Sequence, residues 1–118
     1  MSTYNESINK LLGIGGTTLV CRVIDLFFEH LPPKMAALQT QVTAASFQEL
    51  ERTAHSIKSS AANLGLEALR SAAQELESHA RQPEPQLSAC QTHVETMLAA
   101  YAEAEPFLRE VRVGLNCP

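Results

Sequence analysis

The chain has 118 residues, a formal net charge of -4 and a pI of about 5.5. That length suits one domain, residues 1–118, with a core of its own, and the acidic balance argues against a broad electrostatic footprint for nucleic acid. Trp is absent and aromatics make up 5% of the chain, so base-stacking platforms are not expected. No stretch reads as the ~20 apolar residues of a membrane span. The N-terminus, MSTYNESINK, lacks the basic start and apolar run of a signal peptide, so the cytoplasm is the expected compartment. Cys21, Cys90 and Cys117 are odd in number and widely spaced, which fits free thiols in a reducing environment.

Apolar residues recur at steps of three and four almost everywhere, the signal of helices. A short helix is expected around residues 4–12, opened by Thr3 and Glu6 as a capping box and broken by Gly13, Gly15 and Gly16. The next carries Leu19, Val20, Val23, Ile24, Phe27 and Phe28 and should end at Pro32-Pro33, where two amide donors are missing. Pro33 is suited to start a further helix with the seam Met35, Leu38, Val42 and Ala45. Ser46 and Glu49 form an S-x-x-E capping box before Phe47, Leu50, Ala54, Ile57, Ala61 and Leu64, and Gly65 is placed to close that helix. Leu66, Leu69, Ala73, Leu76 and Ala80 make another seam, followed by the clearest loop, QPEPQ at 82–86. The last seam is Leu87, Cys90, Val94, Met97, Tyr101, Ala104, Leu108 and Val111, with a kink or a break expected near Glu105 because of Pro106, and a frayed tail at 114–118. Short connections between amphipathic helices predict an all-α, antiparallel bundle, and a monomer fits stripes that are each filled once.

The helix after Ser46 carries the most informative residues. With His55 at zero on a helical wheel, Leu50, Ala54, Ile57, Ala61 and Leu64 cluster at roughly 180–260°. His55 therefore faces away from the core. Ser59 and Ala62, both small, lie within about 40° of it, and Lys58 about 60° to one side. An exposed imidazole ringed by small residues is approachable by another protein, and an ammonium beside it can neutralise an incoming phosphoryl group. Neutral imidazole is well populated at pH 7 and its free ring nitrogen is a nucleophile toward phosphorus. Phosphoryl transfer asks for little beyond alignment and charge neutralisation. On spacing alone, a His beside a Lys is more often just a solvated face.

The run Ala54-His55-Ser56-Ile57-Lys58-Ser59-Ser60-Ala61-Ala62-Asn63-Leu64-Gly65 resembles the signature of histidine-containing phosphotransfer (HPt) domains. Leu50 upstream, and Leu69 with Leu76-Glu77 downstream, also match, and GIGG to LFFEHLPPKMAALQ resembles the helices preceding the signature in bacterial members. The similarity is strongest over 47–77. It implies a four-helix bundle with an additional short N-terminal helix, and a phosphoryl carrier between receiver-domain aspartates of response regulators or a hybrid sensor kinase. By the same resemblance His55 is the phosphoryl acceptor and Lys58 assists the phosphate. Ser59 stands where Gly is most common; it keeps room for the receiver and adds a hydroxyl able to bond the phosphate or the ring. Asn63 and Gly65 match the end of the motif as structural residues. No cofactor is expected on this chain; Mg²⁺ belongs to the receiver. With no Gly-rich phosphate loop, the chain is not expected to use ATP. It resembles a free-standing carrier, with a domain of a larger hybrid kinase as the alternative.

The other histidines have plainer readings. His30 is expected at a helix end, where it favours the dipole, and His79 pairs with Glu75 one turn before it. Cys90-x-x-His93 is the only metal-like spacing, and Cys90 falls on the core seam, so no metal site is expected. Two rival readings stand beside the carrier. One is a docking module of the same fold, insensitive to His55→Ala. The other is a plain scaffold, in which His55 would be buried or Lys58 turned away.

Overall fold

The computed structural model describes residues 4–118. Four helices follow one another: α1 (Glu6–Thr43), α2 (Phe47–Asn63), α3 (Glu67–Ala80) and α4 (Leu87–Gly114). Each packs on its neighbours in sequence, and α4 closes the ring against α1. The fold is therefore the all-α four-helix bundle that short loops between amphipathic helices favour. The predicted seams meet at its axis: Leu50, Ala54, Ile57 and Ala61 of α2, Leu69, Ala73 and Leu76 of α3, and Val94, Met97 and Leu108 of α4 are all buried. Glu77 is the one buried charged residue among those described.

The N-terminal element departs from expectation. The glycines do not isolate a short helix. Only Gly16 leaves helical geometry (φ 69°, ψ -165°), so the residues before it join α1 across a kink. Gly13 and Gly15 remain helical although both are exposed; the packing in this segment comes from buried Ile8 and partly buried Leu11 and Leu12. Residues 6–15 cover one end of the bundle and bury Ile8 completely. Thr3 of the expected capping box lies outside the described residues; the N-cap is Asn5, whose Oδ1 accepts from the Ile8 amide at 2.8 Å. Its Nδ2 donates to the carbonyls of Leu64 (2.8 Å) and Gly65 (3.3 Å), tying the start of the chain to the α2–α3 turn. Gly65 suits that place twice over. Its φ is +66°, and a Cβ there would lie 2.7 Å from the Asn5 side chain.

Pro32-Pro33 does not end α1, nor does Pro106 break α4. All three prolines are exposed, so the carbonyls they leave unbonded one turn back lie on the solvent side. The buried line Phe27, Leu31, Met35, Leu38 carries α1 straight past them. Ser46 stands at the start of α2 but makes no side-chain cap bond. The reversal is instead made by Ala45 in the left-handed region (φ 53°).

Three further expectations are corrected. An 18-residue window of α1 reaches a mean hydropathy of 1.7, long and apolar enough by length and composition to cross a membrane. Small and aliphatic residues around Gly13, Gly15 and Gly16 raise that mean without forming an unbroken apolar run, and Val20, Ile24 and Phe27 from this region are buried in the bundle. Cys21 and Cys117 are not free thiols. They form a disulfide across a sequence separation of 96, and only Cys90 is free. The tail does not simply fray: left-handed Asn116 (φ 54°) turns it back, and Arg112 pairs with Asp25 of α1 and donates to the Pro118 carbonyl at 2.7 Å. Sequence distance hid this pairing, because only the α1–α4 contact brings the two cysteines together.

Candidate functional site

The α2–α3 hairpin builds the site. Leu50, Ala54, Ile57 and Ala61 hold one face of α2 in the core, which turns His55 outward with its side chain 60% exposed. Lys58 follows one turn later, on the side facing α3. The tight turn at Gly65 sends α3 back antiparallel and sets its register against α2. That register brings Gln74, Glu77 and Arg81 alongside His55, Lys58 and Glu51.

Glu77 is the centre of the arrangement, its side chain only 3% exposed. Its Oε2 accepts from His55 Nδ1 at 2.5 Å and its Oε1 from Lys58 Nζ at 2.5 Å. Arg81 Nη2 donates to Oε2 at 3.3 Å, while Arg81 Nε donates to Glu51 at 2.9 Å. Lys58 also donates to Gln74 Oε1 at 3.2 Å. Burial pushes the Glu77 carboxyl up, but the hydrogen bonds from Lys58 and His55 and their charges outweigh it and hold the group below the ordinary glutamate value. Glu77 is thus an anion at neutral pH and accepts only. In the neutral imidazole the proton facing it must sit on Nδ1, so the lone pair lies on Nε2, the nitrogen away from the carboxylate.

The three residues singled out from sequence are therefore together on one helix face. His55 is exposed with one ring nitrogen free to react, and Lys58 is within a turn of it, turned toward Glu77 rather than hidden behind bulk. Ser59 is exposed and small, but its hydroxyl donates to the His55 backbone carbonyl at 3.3 Å, not to the ring. Sequence reasoning gave Glu77 no role beyond its match to the motif, and missed Arg81. A signal was present: Glu77 lies four residues after Ala73 and three before Ala80, a carboxylate on the edge of a buried stripe.

Between α1 and α2 lies an open groove of about 560 Å³ lined by His30, Pro33, Lys34, Ala37, Arg52 and Ser56, among others. Lys34 Nζ donates to Ser56 Oγ at 2.6 Å. His30, expected at a helix end, is mid-helix because α1 continues through the prolines. His79 makes no pair with Glu75 among the described residues. Its Nε2 accepts from the Gln86 amide at 3.0 Å, and its ring lies 5.9 Å from that of His93. Cys90 is fully buried, and burial pushes its thiol up. Among the described residues no group of three or more His, Cys, Asp or Glu side chains is placed to hold a metal.

No curated protein and no solved structure matches the chain significantly. The family model of the Hpt domain matches residues 22–104, which span α2, α3 and most of α1 and α4. Hpt domains are the histidine phosphotransfer modules of two-component phosphorelays; they work with response-regulator receiver domains and kinases as carriers, not as kinases. With the acceptor-like histidine, its lysine and the buried carboxylate on one helical hairpin, and the family match over more than half its length, this chain belongs to the Hpt domain family.

Proposed function

We propose that this chain carries a phosphoryl group on His55 Nε2 between receiver-domain aspartates. The observation that supports this most is the 2.5 Å hydrogen bond from His55 Nδ1 to buried Glu77, which in the neutral ring puts the lone pair on Nε2 of an exposed side chain. The Nε2 lone pair attacks the phosphorus of an aspartyl phosphate, and the N–P bond forms as the P–O bond to the carboxylate breaks. The bonding pair leaves on the aspartate oxygen. Nε2 carries no proton, so no general base is needed. The ring becomes cationic while keeping its Nδ1 proton, and Glu77 faces that developing charge at hydrogen-bond distance. Lys58 offsets the charge of the phosphoryl oxygens, and Ser59 leaves room for the receiver. The reverse sequence hands the group to a second aspartate.

The receiver is read as docking over α1 and α2, with Lys34 and Arg52 beside the acidic pocket that holds its aspartate. Mg²⁺ would be held by that partner. The chain has no phosphate-binding loop for ATP, so a separate kinase supplies the group. A bacterial, cytoplasmic, monomeric carrier is the setting proposed, where the Cys21–Cys117 pair would be held reduced. The test is incubation with phosphorylated receiver domains from the host. Acid-labile label on wild type and none on His55→Gln is expected; label that survives His55→Gln, or none from any cognate receiver, sinks the reading.

A further inference from the structure

A difficulty arises from the Lys58 contact itself. Its ammonium is already 2.5 Å from Glu77 Oε1, and the same group is needed at the incoming phosphoryl oxygens. If Lys58 turns outward, a carboxylate whose side chain is 3% exposed loses its closest cation. A buried anion stripped of its partner is costly, so Lys58 would be held back. One other fixed cation reaches this carboxylate. Arg81 Nη2 lies 3.3 Å from Oε2, and Glu51 anchors its Nε at 2.9 Å. The Arg81 side chain is 63% exposed, so it has space to close on Glu77. It stands one turn beyond Glu77, as the C-cap of α3, and meets the carboxylate at Oε2, the oxygen on the Nδ1 side of the ring.

We propose that Arg81 is a positioning residue for phosphoryl transfer: anchored by Glu51, it keeps buried Glu77 compensated when Lys58 leaves for the phosphoryl group. This rests on His55 being the acceptor. It adds that Lys58 works only because a second cation can replace it. Arg81 never touches the phosphoryl group.

The test uses phosphoramidate as a small donor, which removes receiver docking from the measurement. His55 displaces ammonia as the P–N bond to the donor breaks and the bond to Nε2 forms. Labelling rates are compared for wild type, Arg81→Met, Lys58→Met and the double variant, with a thermal melt of each. Arg81→Met should slow labelling about two- to fivefold at low salt, the range of a partly exposed ion pair, and less at ~1 M salt. In the Lys58→Met background, Arg81→Met should change nothing further; with Lys58 present, Arg81→Lys should keep most of the wild-type rate. A helix-stabilising role alone would lower the melt and slow both backgrounds equally. Glu51→Gln, which loosens the anchor without touching the site, should slow labelling in the same direction but less. Wild-type rates in Arg81→Met, or equal losses in both backgrounds, overturn the inference while leaving the carrier reading intact. No label on wild-type His55 overturns both.

Discussion

Replacing Glu77 by Gln keeps the shape of the side chain and removes its charge. The carboxylate accepts from His55 Nδ1, Lys58 Nζ and Arg81, all donors. An amide offers one acceptor oxygen and turns an NH2 group toward one of the former donors. If the NH2 meets His55, the imidazole proton moves to Nε2 and the exposed lone pair is lost. If the oxygen meets His55, a charged hydrogen bond becomes a neutral one. Charge-assisted bonds contribute about 1.5–3 kcal/mol and neutral ones about 0.5–1.5, a difference of about 1–1.5 kcal/mol. At ~1.4 kcal/mol per factor of ten, labelling of His55 by phosphoramidate should slow about five- to tenfold. Stability should fall less than for a fully buried pair, by about 1–2 kcal/mol, because water reaches His55 and Lys58. ¹⁵N chemical shifts of the His55 ring report the tautomer directly, alongside the labelling rate. A Glu77→Gln protein with wild-type ring shifts and wild-type labelling would refute the reasoning.

The same carboxylate sets an acid limb to stability. Its folded-state pKa lies below the ordinary value of 4.5, so its contribution is full above that value and is lost as pH falls through the lower, folded one. Denaturant midpoints should therefore drop below about pH 4.5, and Glu77→Gln should flatten that drop. Dithiothreitol should lower the thermal midpoint, since a bridge spanning 96 residues constrains the unfolded chain by up to about 4–5 kcal/mol; a melt unchanged by reductant would mean the disulfide does not form. Ala45→Gly should stabilise by roughly 0.5–1 kcal/mol in urea titrations, because Ala45 already occupies the left-handed region. Gly65→Ala should cost about 1–3 kcal/mol, from the same backbone region and the collision with Asn5. Lys34→Glu with Arg52→Glu should slow transfer from a phosphorylated receiver while leaving phosphoramidate labelling close to wild type; equal slowing of both would refute docking on the α1 side.

His55, Lys58 and Ser59 were legible in the chain because they lie within five consecutive residues of one helix. The 3.6-residue period alone places them on one face and the aliphatic residues on the other. The seams of α2, α3 and α4 were legible for the same reason, and Gly65 was visible as their turn because a left-handed closing residue favours glycine. Pro32, Pro33 and Pro106 misled, since local hydrogen-bond loss was weighed without the core that carries the helices past them. Gly13 and Gly15 misled because low propensity was read as a stop, while only Gly16 leaves helical geometry.

Sequence by itself determined which helix face is exposed and which packs, because both follow from spacing over a few turns. Tertiary structure alone decided what stands beside the imidazole. Glu77 is 22 residues from His55 and Cys117 is 96 from Cys21. Neither distance has a local period to betray it. The register of α3 on α2 chooses the Nδ1 tautomer, and the closure of α4 on α1 makes the disulfide.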